Sequence, residues 1–266
     1  MSIIEYISIF FLSIVTTIIF VSCIIYSDRK SKEPLHMLLI CLFSGVFTIC
    51  LTLLLGQIIL PNLEIISSGL FSYNTNNSIK ILILAMVEEY CKLIVLYLLV
   101  SKNRNYDDLY DGFVYSSLIA LSFGAFETLI YVFNEPTFSS MTSLAILRSF
   151  TTIPLHLICG VVMGYYVSVE KFTFGTKDRV FYLFNALLIP TFIHFIYNHT
   201  LAHVMNILVN DSLFIIFLIV FFIPFYVTAI SYFNKTKSLN DKFINNIKYK
   251  NLMTKKEYNE IIKSKY

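Results

Sequence analysis

Seven continuous apolar stretches follow one another along the chain, separated by short polar loops. They fall near 3–26, 35–60, 79–101, 112–133, 142–168, 180–203 and 209–233. Each is long enough to cross a bilayer, which takes about 20 residues of helix. The runs are continuous rather than alternating, so they predict helices and not barrel strands. The expected fold is all-α, a polytopic bundle of about seven transmembrane spans. No internal repeat is visible.

Composition agrees with that pattern. The chain of 266 residues is 57% hydrophobic and only 14% charged. Soluble domains average about 25% charged residues. Disorder, collagen-like sequence and an ordinary water-soluble enzyme are excluded, and no nucleic-acid partner is expected. The five cysteines (Cys23, Cys41, Cys50, Cys91, Cys159) all lie within spans and form no C-x-x-C. They read as small apolar fillers, not as disulfides or thiolate metal ligands.

Charge then gives orientation. The loops holding Arg29, Lys30 and Lys32, then Lys102 and Arg104, then Lys171, Lys177 and Arg179 alternate with loops that hold no cation. With nine Lys after residue 233, seventeen of the twenty cations fall on one side. The positive-inside bias makes that side cytoplasmic, the N-terminus external and the C-terminus internal. The cations follow the first span, and no small-residue cleavage site accompanies it, so it reads as an anchor and not a signal peptide. Residues 1–233 are expected to form the membrane domain and 234–266 a basic cytoplasmic tail. In the tail, Thr254 and Glu257 have capping-box spacing, and Tyr258, Ile261 and Ile262 can share an apolar face. The tail is either a helix lying on anionic lipid or a solvated basic segment.

The informative residues are the polar ones left inside the apolar runs. Lys80 sits at a span edge and can snorkel. Glu88, Glu89, Lys92, Glu127, Arg148, His156, His194 and Asn198 lie deeper. A charge at mid-helix costs roughly 2.5–3.5 kcal/mol on insertion scales, so such groups usually face the bundle interior and mark function. At 1.5 Å per residue, Glu88 and Glu89 lie about 14 Å from the outer end of span three, and Glu127 about 9 Å from that of span four. His156 comes out about 20 Å deep, His194 about 14 Å and Asn198 about 8 Å. Four helices thus bring polar groups into one overlapping layer, mostly in the outer half.

Small residues allow close approach. Ser116, Ala120 and Gly124 form a ladder on span four, and Gly160-x-x-x-Gly164 forms one on span five below His156. Pro154 and Pro190 precede the two histidines, and each frees a carbonyl four residues back. Lys92 stands three residues after Glu89 and four after Glu88, so it can neutralise one of them. The second then shares a low-dielectric site with a like charge. A carboxyl pair held in unlike states suits general acid–base chemistry, although a Glu–Lys pair can also merely fix helix packing. Arg148 can pair with Glu127 or snorkel. His36 reads as interfacial. His199 and His203 have metal-compatible spacing but lie at a span end, where an interfacial role is expected. Asp107, Asp108 and Asp111 precede span four, where helix capping is expected. Asn198-His199-Thr200 matches a glycosylation sequon but lies inside a span.

The ordered set Glu88-Glu89-x-x-Lys92, Asp111-Gly112-Phe113-Val114-Tyr115, Phe123-Gly124-Ala125-Phe126-Glu127, Arg148, Pro154-x-His156 with Gly164-Tyr165, and His194-x-x-x-Asn198 resembles the PrsW family of intramembrane proteases. The resemblance covers roughly residues 30–205. More distantly, the set is similar to the prenyl-protease-related and bacteriocin-processing membrane peptidases. Those carry Glu-Glu-x-x-x-Arg and Phe-x-x-x-His, from which Lys92 and the six-residue step from Phe150 to His156 depart. His-Glu-x-x-His, Gly-x-Gly-Asp and Gly-x-Ser-x-Gly are absent.

The resemblance implies proteolysis of membrane-tethered proteins, such as anti-sigma factors, near their outer side. Peptide hydrolysis needs an activated water, a stabilised oxyanion and a proton for the leaving nitrogen. Glu89, or Glu88, is expected as the base, with Lys92 holding the other glutamate ionised. His194 and Asn198 would polarise the carbonyl or protonate the amine, and His156 and Glu127 would complete the shell. A metal variant has His156, His194 and Glu89 holding Zn²⁺ with an open position for water. The competing reading is a proton-coupled transporter or channel using a Glu/Lys/His relay. A non-enzymatic scaffold would leave the shared depth unexplained.

Overall fold

The computed structural model describes residues 2–28, 32–67, 73–172, 179–204 and 211–250. The described residues form eight α-helices and no strand. They are α1 (Ile3–Ser27), α2 (Leu35–Ser67), α3 (Tyr73–Val95, continued by a π-helical turn at Leu96–Val100), α4 (Leu109–Phe133), α5 (Phe138–Phe150), α6 (Thr152–Phe172), α7 (Arg179–Val204) and α8 (Asp211–Lys250).

Local chemistry sets the helix starts. Ser2 caps α1 in a reciprocal capping box with Glu5. Asp108 caps α4, accepting from the Tyr110 and Asp111 amides, while Asp111 reaches back to the Asp108 amide. The expected capping role of the acidic run therefore holds, three residues earlier than the apolar pattern begins. Each such cap satisfies amides that the first helical turn leaves without partners.

Helix α4 is the centre of the bundle. It is apolar around its whole circumference and buried along most of its length, as a helix surrounded by others must be. It packs on α6, α2, α1, α8 and α5, and α7 closes the bundle against α6 and α3. The α4–α6 contact is the closest, and the two small-residue ladders make it. A Cβ on Gly160 would come 2.8 Å from the Ala120 Cβ and 3.0 Å from the Ser116 carbonyl oxygen, and one on Gly164 would meet the Gly112 carbonyl. Only glycine lets these backbones touch. Cys41, Cys91 and Cys159 fill the interior, Cys23 and Cys50 are exposed, and all five are free thiols.

Among the described residues, five helical stretches are long and apolar enough to cross a membrane: Ile3–Ser27, Leu35–Ile59, Leu109–Phe133, Phe138–Phe172 and Arg179–Ala202. Helix α3 carries Lys80, Glu88, Glu89 and Lys92, more charge than a lipid-facing helix tolerates. The expected fifth span, 142–168, is not one helix. It breaks at Thr151, whose backbone leaves the helical region (φ −120°, ψ −59°). The cause is Pro154, which lacks an amide to bond the Phe150 carbonyl and whose ring would clash with it. In α6 the same proline sits harmlessly in the first turn. The break is pinned to α7, where the Tyr197 hydroxyl lies 2.9 Å from both Thr151 Oγ1 and Thr152 Oγ1.

Helix α8 runs without interruption past residue 233 to Lys250, so 40 residues make a rod of about 60 Å. Asn240 ties its far half to the start of α4, accepting from the Leu109 amide (3.1 Å) and donating to Asp108 (3.3 Å). The tail features at Thr254, Glu257, Tyr258, Ile261 and Ile262 lie outside the described residues.

Candidate active site

The polar residues predicted to lie at one depth meet in a single buried network. Glu88, Glu89 and Lys92 come from α3, Glu127 from α4, His156 from the first turn-and-a-half of α6, and His194 from α7. Arg148, near the end of α5, closes the outer edge. Glu89, Lys92, His156 and His194 are at most 2% exposed, whereas Glu88, Glu127 and Arg148 are 14%, 17% and 13% exposed. The side on which those three stand is therefore the open rim.

Lys92 Nζ donates to Glu89 Oε1 (2.7 Å) and lies 3.0 Å from His156 Nδ1. An ammonium only donates, so His156 Nδ1 accepts and its Nε2–H donates to Glu127 Oε2 at 2.8 Å. Arg148 shares that same carboxylate oxygen at 2.8 Å, bonds Thr128 Oγ1 through Nε (3.2 Å), and lies 4.5 Å from the Tyr131 ring centre. Of the two roles open to Arg148, the structure gives it the ion pair with Glu127. The chain Arg148–Glu127–His156–Lys92–Glu89 alternates charge and fixes the His156 ring in both rotation and tautomer.

His194 continues the chain. Its Nδ1 lies 2.8 Å from Glu89 Oε1. A carboxylate accepts, so Nδ1 carries the hydrogen and the lone pair of Nε2 points the other way. It faces Glu88 Oε2 at 3.7 Å. That carboxylate oxygen is buried and has no hydrogen-bond partner, and neither has Glu89 Oε2. An imidazole lone pair opposite a carboxylate oxygen is repulsive until a proton or a cation sits between them. The two histidine rings stand edge to face with centroids 5.2 Å apart.

The same residues can hold a metal ion once His156 exchanges its bond to Lys92 or to Glu127 for a nitrogen–metal bond. Glu88, His156 and His194 each offer one ligand atom, all within 4.8 Å of one another, and they are the only such trio among the described residues. Two nitrogens and one carboxylate oxygen are the donors of a catalytic zinc site that keeps a position for water. Glu89, expected as the carboxylate ligand, is instead placed behind His194, where it orients the ring through Nδ1. Its neighbour Glu88 is the carboxylate of the trio.

Two residues that the sequence places in a motif, without a role at the site, line it. Phe123 forms the floor: Lys92 Nζ lies 4.2 Å from its ring centre, and the ring packs edge-on against His156. Gly124 makes room for the imidazole, since a Cβ there would come 2.5 Å from His156 Cδ2. Both lie in the Phe-x-x-x-Glu stretch, but nothing in the spacing reveals which ring they meet. Asn198 lies one turn beyond His194 and is partly buried, and among the described residues no hydrogen bond joins it to the network. Asp111 and Tyr115 stand at the other end of α4, where Tyr115 donates to Glu33 and to the Asn105 carbonyl oxygen. They hold the loop there and take no part in the site.

The sequence model of a family described as PrsW family intramembrane metalloprotease matches residues 33–229. The chain belongs to the PrsW family. Protease PrsW of Clostridioides difficile (strain 630) is 29% identical over 192 residues, which cover 72% of this chain and 78% of that protein. Protease PrsW of Bacillus subtilis (strain 168) is 27% identical over 191 residues, covering 72% and 81%. Protease PrsW of Geobacillus kaustophilus (strain HTA426) is 32% identical over 114 residues, covering 43% and 48%. No solved structure matches the chain. As a PrsW family member the chain is a peptidase and a multi-pass membrane protein, and the transporter reading falls away. Every residue of the buried network lies within the span that the PrsW family model matches.

Proposed function

We propose that this peptidase cuts membrane-tethered proteins, such as anti-sigma factors, near the outer side of the bilayer. The observation that carries the reading is the meeting of Glu89, Lys92, Glu127, His156 and His194 from four helices in one hydrogen-bonded network, with Glu88 beside His194. Seven spans, an external N-terminus and a cytoplasmic C-terminus are part of the proposal, and they rest on the alternation of cationic loops. So is the division into a protease-like domain, 1–233, and a basic tail, 234–266, whose nine lysines suit anionic lipid. In this orientation Glu127 lies about 9 Å from the outer end of α4.

Glu89, or Glu88, is the base that takes a proton from water. The unpartnered Glu88 Oε2 supports Glu88 in that role, because Glu89 is engaged by Lys92 and His194. Lys92 keeps Glu89 anionic, and Glu89 in turn sets the tautomer of His194. The His194 Nε2 lone pair faces Glu88, receives the proton that Glu88 has taken from water, and returns it to the leaving nitrogen, with Asn198 one turn away available to the carbonyl. Glu127 and His156 complete the shell. Alternatively, Zn²⁺ would be held by Glu88, His156 and His194, which would then give up their acid–base roles and leave Glu89 as the base; when bound it would make water acidic and polarise the scissile carbonyl.

The test is purified protein mixed with candidate single-pass substrates, with and without a chelator, alongside a count of bound zinc. The proposal expects a cut product, lost with chelator and restored by zinc, and about one zinc per chain. Cleavage that survives removal of all metal would leave the carboxylate route and remove the metal. No cleavage of any tethered substrate by correctly inserted protein would overturn the substrate class.

A further inference from the structure

The far half of α8 carries a stripe that the catalytic reading does not use. Val227, Ile230, Asn234, Ser238 and Lys242 recur every three or four residues, and so share one helix face. Together with Lys235 and with Tyr165 of α6 they line an open groove of about 750 Å³. The two ends of the groove differ. At one end Val227 and Ile230 are 60% and 58% exposed and apolar. From Ser231 onward the lining is Ser231, Asn234, Lys235, Ser238 and Lys242, with Leu239 the one apolar side chain among them. Among the described residues no carboxylate lines the groove, and Asp241 beside Lys242 is outside the lining.

The position of the change matches a membrane surface. A helix needs about 20 residues to cross the hydrocarbon core. Counted from Asp211, the core ends near residue 231, where the lining turns from apolar to polar. Tyrosines mark the same level, as they do at bilayer interfaces. The Tyr166 and Tyr232 hydroxyls lie 2.9 Å apart, Tyr165 packs against Tyr232 with centroids 5.0 Å apart, and Lys235 Nζ lies 5.0 Å from the Tyr232 ring centre. The tyrosines join α6 to α8, and Tyr165 lines the groove.

We infer that this α6–α8 groove is a binding site for one anionic phospholipid. Its acyl chains lie along Val227 and Ile230. Its phosphate accepts hydrogen bonds from Ser231, Asn234 and Ser238, and Lys235 and Lys242 neutralise its charge. A zwitterionic lipid carries the same phosphate but places a second cation among these lysines, so the groove selects for net negative charge. A second protein helix would satisfy the apolar end and leave the lysines without counter-charge. The inference does not depend on the peptidase reading.

Native mass spectrometry of the full chain in neutral detergent tests it, with added phosphatidylglycerol or phosphatidylcholine. A near-surface lysine contributes about 1 kcal/mol toward anionic lipid, so two give a preference for phosphatidylglycerol of about tenfold or more. Lys235→Gln with Lys242→Gln is expected to abolish the preference. Lys237→Gln, which removes one charge outside the lining and is compared with Lys235→Gln alone, is expected to keep it. Equal binding of the two lipids, a preference that survives the double change, or an equal loss with Lys237→Gln would each overturn the site. Displacement by inorganic phosphate at the same concentration as the lipid would overturn the lipid in favour of a soluble anion.

Discussion

At the scale of single residues, Arg148 and Gly124 control the site without being reactive. Arg148 holds Glu127, and Glu127 holds the His156 ring. Arg148→Gln leaves Glu127 without its cation, and outer partners of this kind usually matter by 10–100-fold. Peptidase activity is therefore expected to fall on the order of 10–100-fold, with helix content by circular dichroism unchanged, and Arg148→Lys should recover part of it by restoring charge without the planar fork. Gly124→Ala brings a methyl 2.5 Å from His156 Cδ2 and forces the ring away from Lys92. Overpacking of this kind costs roughly 1–3 kcal/mol. Lower activity and weaker zinc binding are expected, measured by proteolysis and by metal titration. Unchanged values for both would mean that the ring position does not matter.

Residue by residue, legibility followed distance along the chain. Glu88, Glu89 and Lys92 are close in sequence, and their pairing followed from helical spacing alone. Which glutamate meets His194 did not. Adjacent residues point about 100° apart on a helix, and only the rotation of α3 against α7 assigns Glu88 to the open position and Glu89 to Lys92 and His194. The Arg148 pairing was similarly undecided, because α5 had not been separated from α6.

At the scale of helices, the five stretches long and apolar enough to cross a membrane were legible because lipid demands continuous apolar sequence. The α4 and α6 ladders were legible because small residues at a four-residue step have one obvious use. The break at Thr151 was not, since no polar residue interrupts the apolar run and Pro154 reads equally as a kink. The break places His156 early in α6, beside Glu127 near the end of α4. Gly164→Ala drives a methyl into the Gly112 carbonyl, and backbone cannot give way as a side chain can. The unfolding midpoint in mixed detergent is expected to drop by the equivalent of about 1–3 kcal/mol. An unchanged midpoint would mean that α4 and α6 do not touch at this level.

At the scale of the whole molecule, the two ends of α4 have opposite duties. One end holds the buried polar network. The other is tied down by acidic groups between α1 and α2. Burial raises Glu33 from its ordinary 4.5 to about 7 and Asp28 from 3.8 to about 6, with neighbouring carboxylates adding to both shifts. The folded chain therefore keeps protons that the unfolded chain releases, and stability falls as pH rises from about 4 to about 7. A lower unfolding midpoint at pH 8 than at pH 5.5 is expected, and Glu33→Gln should shrink the difference. If Glu33→Gln leaves the dependence as it was, Glu33 is not responsible.

The central claim is that the buried carboxyl pair on α3 performs peptide hydrolysis. Cleavage of a single-pass reporter by purified wild-type, Glu88→Gln and Glu89→Gln proteins, matched for membrane insertion, measures it most directly. Loss of a general base costs about 10²–10⁴-fold, so at least one substitution is expected to reduce the rate by that factor while the helices stay intact. Full cleavage by both variants would contradict the account.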